Sequence, residues 1–252
     1  MPTPITTDDV TLPEARGATA AIARRRLAIP LVAAALITMA DRPAEAHPHV
    51  FTEVRTEVVY SDKRIVGLRN RWRFDEGYSA MAVADLDINK DGKYDREELA
   101  ELAKVNIEGL SEFDYFTLAR LGETQLALGA PRDYHLEHEA VSQPGSEPQH
   151  ILTLEFFLPL AEPVLADAEG FAFEIYDPTF YIAFAFAETD AIRLGGEAPP
   201  GCAASIGTAP GDSEEAARLG DSFMQQFGSN LGLMMSRTVS VTCPKPGAPK
   251  AG

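Results

Sequence analysis

Basic residues are scarce in this chain of 252 residues: 22 Lys and Arg stand against 38 Asp and Glu, a formal charge of −16. A face that binds nucleic-acid phosphates needs clustered cations, so that partner class is excluded. Cysteine is rarer still, with two residues and no CxxC spacing, which leaves a zinc-ribbon or redox pair unsupported. Long apolar runs are also missing. The longest, Leu27 to Ala40, has 14 residues and is interrupted by Pro30, short of the ~20 that cross a bilayer. Trp72 to Met81 and Phe180 to Ala187 are interrupted or shorter. There is no Gly-x-Ser-x-Gly elbow, P-loop, His-Glu-x-x-His or dinucleotide glycine pattern. Acidic pairs such as Asp75/Glu76 and Glu214/Glu215 are common in so acidic a chain and specify no catalysis. No enzyme is expected.

What is present is an ordinary globular composition, 45% hydrophobic and 24% charged, preceded by an address. Arg24-Arg25-Arg26 leads into the apolar run, and Ala44-Glu45-Ala46 forms a small-x-small cleavage pattern. That layout is a secretory signal peptide over 1–46. The adjacent arginines suit twin-arginine export, although Ala23 precedes the pair, so this route and the general secretory route both stay open. The leader carries five acidic and five basic residues, so the exported chain keeps the full negative charge. A periplasmic protein with no membrane span in its mature part is expected. In that oxidising setting Cys202 and Cys243 pair most simply with each other. Closing their separation of 41 residues stabilises a fold by about 4 kcal/mol in the loop-entropy model.

From 47 to 243 the pattern is mostly that of strands. Near alternation of apolar and polar residues marks Val50–Val59 and Arg64–Phe74. Further strands are expected over Phe113–Leu121, Gln125–Leu128, Tyr134–Val141, Ile151–Leu158, Phe171–Tyr176, Tyr181–Ala187 and Arg237–Thr242, with a hairpin tip at Gln143–Pro148. Helical spacing interrupts them at 75–110. Tyr78, Met81, Ala82 and Leu86 form one stripe, and Leu99, Leu102, Ala103, Ile107 and Leu110 another. A further helix is expected from Ser213 to about Leu231, capped by Asp212, with Leu219, Phe223, Phe227 and Leu231 on its buried face. Pro244 to Gly252 reads as a disordered tail. The fold class is therefore α+β: a mainly antiparallel β-sandwich-like domain with a helix-loop-helix insertion and a C-terminal helix.

The insertion holds the strongest chemical signal. Asp87-Ile88-Asn89-Lys90-Asp91-Gly92-Lys93-Tyr94-Asp95-Arg96-Glu97-Glu98 meets each demand of a twelve-residue EF-hand loop. Asp87, Asn89 and Asp91 supply side-chain oxygens, and Gly92 takes the sharp turn. Lys93 offers its backbone carbonyl, Asp95 holds a bridging water, and Glu98 closes the shell with both oxygens. So many hard oxygens favour Ca2+ over Mg2+. The eighth position, usually Ile, Val or Leu, is Tyr94, and no second loop of this kind exists. A lone hand binds weakly, at about 10⁻⁴ to 10⁻³ M, and stabilises more than it signals.

Cleavage after Ala46 exposes His47-Pro48-His49. A terminal amine with its own imidazole, joined by a second imidazole, suits Ni2+, Co2+, Zn2+ or Cu2+. Pro48 lacks the amide N–H that a square-planar amino-terminal site deprotonates. The alternative is that His47 and His49 only begin a strand. His135 and His138 would lie on opposite strand faces, His135 with Glu137 and His138 with Tyr134 and Leu136, in surface or packing roles. His150 is expected to face solvent beside the hairpin tip.

The chain resembles a family of exported bacterial proteins labelled periplasmic components of an uncharacterised ABC-type transport system. The resemblance rests on His47-Pro48-His49-Val50, Trp72-x-Phe74-Asp75-x-x-Tyr78-Ser79, the calcium-like loop, Phe113-Asp114-Tyr115-Phe116, Tyr176-Asp177-Pro178-Thr179-Phe180-Tyr181-Ile182, and Gly201-Cys202 with Cys243. It implies a metal-handling accessory that works beside a membrane permease for nickel, cobalt or zinc. Two other classes remain open: an interaction module in which calcium only stabilises the fold, and a copper-dependent oxidoreductase built on His47.

Overall fold

The computed structural model describes residues 48–141, 145, 148–214, 218 and 231–244. The leader 1–46, His47 and the tail from 245 onwards lie outside the described residues. So does most of the helix expected at 213–231, including Leu219, Phe223 and Phe227.

The first strand, β1 (Val50–Ser61), alternates buried and half-buried residues along nearly its whole length, the pattern of a strand with one face on a core. It turns at Asp62 and Lys63, both at positive φ (50° and 57°), as a two-residue hairpin matched to strand twist requires. It then pairs antiparallel with β2 (Arg64–Phe74). Helices α1 (Glu76–Ala82) and α2 (Ala100–Leu110) follow, then a 3-10 segment, Ser111–Phe116. After them come β3 (Thr117–Leu121), β4 (Thr124–Leu126), β5 (Arg132–Val141), β6 (Gln149–Leu165), β7 (Phe171–Ile175), β8 (Ile182–Phe186), β9 (Ile192–Leu194) and β10 (Ala203–Ile206). The described part of the chain ends with a 3-10 turn at Pro210–Asp212, a short helix α3 (Leu231–Met235) and β11 (Val239–Thr242).

These strands form two sheets, one ordered β5-β6-β2-β1-β8 with β9 also on β1, the other ordered β10-β11-β7-β3-β4. The core is one contiguous cluster drawn from both sheets and the helical insertion, with Trp72, Phe156, Leu68 and Leu158 from the larger sheet and Phe171, Phe173 and Val239 from the smaller. Trp72 meets Phe156 edge to face at 4.9 Å. The molecule is mostly β with two sheets and few helices, as expected. It is less uniformly antiparallel than the alternation implied, because β8 and β9 both run parallel to β1. Strand pairing of that kind depends on where the chain re-enters the sheet, which periodicity does not encode.

Three boundaries also change. Phe113–Phe116 is not strand: Asp114, Tyr115 and Phe116 are consecutive left-handed residues (φ 50°, 55°, 48°). Such residues cost ~1–2 kcal/mol each, and burial of Phe116, stacked on Phe113 at 5.1 Å, offsets part of that. β9 and β10, three and four residues long, are too short for an alternation signal. Asp212 ends a 3-10 turn, with Ser213 extended after it; most of the helix it was expected to cap lies outside the described residues. The disulfide is formed. Cys202 and Cys243, 41 apart in sequence, are bonded beside the paired residues Ala203 and Thr242 of β10 and β11.

Candidate metal centre

The insertion is fastened by the residues around Asp75. Its carboxylate accepts from the backbone N–H of Tyr78 (2.9 Å), which caps α1, and from that of Phe51 on β1 (2.7 Å). The Ser79 hydroxyl, wholly buried, donates to the Asp75 carbonyl (2.6 Å) and accepts from the backbone N–H of Leu152 on β6 (2.9 Å). Tyr78 donates its hydroxyl to Asn106 of α2 at 3.1 Å, joining the two helices. Burial raises the Tyr78 pKa above its ordinary 10, so the phenol keeps its proton. The buried face of α2 carries Ala103 and Ile107, with Leu99 buried just before it. Met81, expected in the inward stripe, is exposed, because α1 ends one residue later and only one side of so short a helix reaches the core.

Between the helices, loop 87–98 is organised by its own side chains. Asp87 accepts from the backbone N–H groups of Asp91 (3.1 Å) and Gly92 (3.0 Å). Asn89 Oδ1 accepts from Asp91 N–H (2.8 Å) and Asp91 Oδ1 from Lys93 N–H (2.8 Å). Glu98 reaches back across the loop to the N–H groups of Ile88 (2.9 Å) and Asn89 (3.2 Å), and its other oxygen takes that of Asp95 (3.2 Å). Asp95 in turn accepts from Glu97 and Glu98. Gly92 sits at φ +77° and Lys90 at +60°, so the chain reverses where the spacing demanded it. The loop carboxylates are not gathered as tightly as a cluster on β5 and β6. Among the described residues, the group of three ligand-type side chains with atoms within 4.8 Å of one another is His135, Glu137 and Glu155.

That cluster is better read as an ion-pair network. His135 Nε2 stands 3.3 Å from Glu137 and 3.8 Å from Glu155. Arg71 lies between the carboxylates, 3.1 Å from Glu137 and in contact with Glu155, and Arg96 is 3.4 Å from Glu137. Two guanidiniums already neutralise the two carboxylates, so a cation gains little there.

Tyr94, the unusual eighth residue of the loop, packs on the β5–β6 hairpin. Its ring meets those of His138 (4.7 Å) and His150 (6.4 Å) edge to face. His138 Nε2 lies 2.9 Å from His150 Nδ1. Burial, and then the neighbouring His150, lowers the His138 pKa below its ordinary 6.5. His138 and His135 do occupy opposite faces, as their spacing required. His150 departs from the expectation of a solvent-facing residue, being half-buried against His138. The antiparallel register of β5 and β6, with Val141 opposite Gln149, brings 138 and 150 together.

His49 is exposed, its ring 4.8 Å from that of Tyr181, and its N–H donates to the Tyr181 carbonyl (2.9 Å). Tyr181 belongs to a turn built on Asp177, a buried carboxylate that sequence reasoning quoted without assigning it a role. Asp177 accepts from Thr179 N–H (2.8 Å), the Thr179 hydroxyl (2.7 Å) and Ile182 N–H (3.0 Å). An open cleft of about 700 Å³ runs from this turn to α2, lined by Leu102, Val105, Phe113, Phe116 and Tyr181 among others.

Two sheets, a hydrogen-bonded carboxylate loop and one disulfide define a mostly β protein with a short helical insertion. The family described as "Protein of unknown function (DUF1007)" matches residues 32–243, and the chain belongs to that family. It is similar to an uncharacterised protein of Haemophilus influenzae, 24% identical over 58% of this chain and 66% of that one, just under two thirds of its length. It is also similar to an uncharacterised 15.5 kDa protein in the trpE 3′ region of Spirochaeta aurantia, 32% identical over 44% of this chain and 73% of that one. No helix among the described residues is long and apolar enough to cross a membrane.

Proposed function

We propose that the chain is an exported, non-enzymatic calcium-binding protein whose loop 87–98 is an EF-hand, and that it serves as an accessory or binding component in the transport of Ni2+, Co2+ or Zn2+. The observation that supports the calcium assignment is the return of Glu98 across the loop to the backbone N–H groups of Ile88 and Asn89, which draws the last expected ligand residue back to the start of the loop. An ionised carboxylate has about four acceptor sites, so the backbone bonds at Asp87, Asp91, Asp95 and Glu98 leave lone pairs for an ion. Asn89 adds an amide oxygen and Lys93 its carbonyl. The transition-metal half draws support from the resemblance to permease-associated periplasmic proteins and from the exposed His49, two residues after His47 in the sequence.

A second reading is favoured by the packing of Tyr94 on the β5–β6 hairpin. In it, calcium only pins the insertion to the sheet, and partner contact is the function. Calorimetry and melting on the exported chain test the proposal. Millimolar Ca2+ should bind one equivalent, and at ten times its dissociation constant should add about 1.4 kcal/mol of stability. Glu98→Gln should weaken Ca2+ at least tenfold and abolish that increment. No heat above dilution would reject the EF-hand. Ni2+ affinity lost on adding one residue ahead of His47 supports metal handling at the amino terminus; affinity unchanged removes that site and leaves the second reading.

A further inference from the structure

The two histidines under Tyr94 are diagonal neighbours on one face of the β5–β6 pair, since His138 pairs with Leu152 and His150 with Ala140. Their rings lie 5.1 Å apart at 25°. Neither nitrogen of the contact can be satisfied by a proton of its own on both sides: one ring donates, the other accepts. We propose that His138 and His150 form a two-imidazole clip for a divalent transition ion of tetragonal preference, Cu2+ or Ni2+. Ligands about 2.0–2.1 Å from one ion and about 90° apart stand about 2.9 Å from each other, the separation that these nitrogens already have. A tetrahedral ion such as Zn2+ would need them spread to about 3.3 Å.

On binding, the ion replaces the one proton held between the rings, and the donor ring carries its hydrogen on its other nitrogen. The two rings need only turn their lone pairs toward a common point. Tyr94 walls one side, and water fills the remaining coordination positions. The clip shares no residue with the amino-terminal pair His47 and His49 and stands whether or not the loop binds calcium.

The test uses the protein with His47 and His49 replaced by Ala, so that the amino terminus contributes no imidazole, in calcium-saturated buffer. Titration with Cu2+ or Ni2+ should give one site, weakened at least tenfold by His138→Gln and equally by His150→Gln. Metal-free melting temperatures establish that the variants fold. Independently of any change at 138 or 150, substoichiometric Cu2+ should first broaden the amide resonances of 137–139 and 149–151. Unchanged affinity in both variants, or broadening confined to other residues, overturns the clip. Zn2+ binding more tightly than Ni2+ overturns the metal assignment.

Discussion

Gly92 occupies φ +77° with nothing within 4 Å of where a Cβ would stand. A side chain there meets no clash, so the whole cost of Gly92→Ala is conformational, about 1–2 kcal/mol in the left-handed region. That cost falls on the loop conformation that binds the ion and not on the hydrophobic core, which Gly92 does not touch. Calcium affinity should therefore drop about tenfold, each 1.4 kcal/mol being one decade, while the calcium-free melting temperature falls by a few degrees at most. Calorimetry paired with thermal melts in chelator separates the two effects. A calcium-free melt that falls by ten degrees or more would mean that the loop is part of the cooperative core. Asp75 and Ser79 act differently at this scale. Their bonds join α1 to β1 and β6, and they place the loop without taking part in its chemistry.

At the scale of elements, the disulfide and the hairpins carry the argument. Cys202 and Cys243 join the ends of β10 and β11, a pair only four residues long on each strand. So short a pair has few ladder bonds of its own and depends on the bridge to stay docked on β7. Replacing both cysteines by Ser should cost about 4 kcal/mol in the loop-entropy model, read as a lowered denaturant midpoint, and reductant should reproduce the loss in the parent protein. The elements most legible in the sequence were those with one buried face, β1 and β2, where alternation over eleven or twelve residues leaves little choice of register. The carboxylate loop was legible because each position in it is set by local geometry. What was not legible depends on distant chain: β8 and β9 running parallel to β1, the left-handed run at Asp114–Phe116, and the meeting of His138 with His150. Tyr94 falls between these cases. Its departure from the loop pattern was visible, but its partner was not, because a cross-element contact leaves no trace in spacing.

At the scale of the whole molecule, tyrosine ionisation reports how tightly the sheets and the insertion are held as one unit. Three of the phenols, on Tyr60, Tyr78 and Tyr176, have pKa values raised above the ordinary 10, chiefly by burial. Tyr60 lies on β1 in the core, Tyr78 ties α1 to α2, and Tyr176 follows β7 in the other sheet, so the three sample separate regions. In each case the folded protein holds its proton at a pH where the unfolded chain has released it. Stability is therefore complete below pH 10 and is lost as pH climbs through 10 toward the raised values. Absorbance at 295 nm during an alkaline titration should show Tyr60, Tyr78 and Tyr176 ionising above pH 10, together with the loss of far-ultraviolet ellipticity. If the insertion opened independently of the sandwich, Tyr78 would ionise ahead of Tyr60 and the late phase would split in two. Ordinary titration of Tyr60, Tyr78 and Tyr176 in the folded protein would contradict the burial on which the core rests.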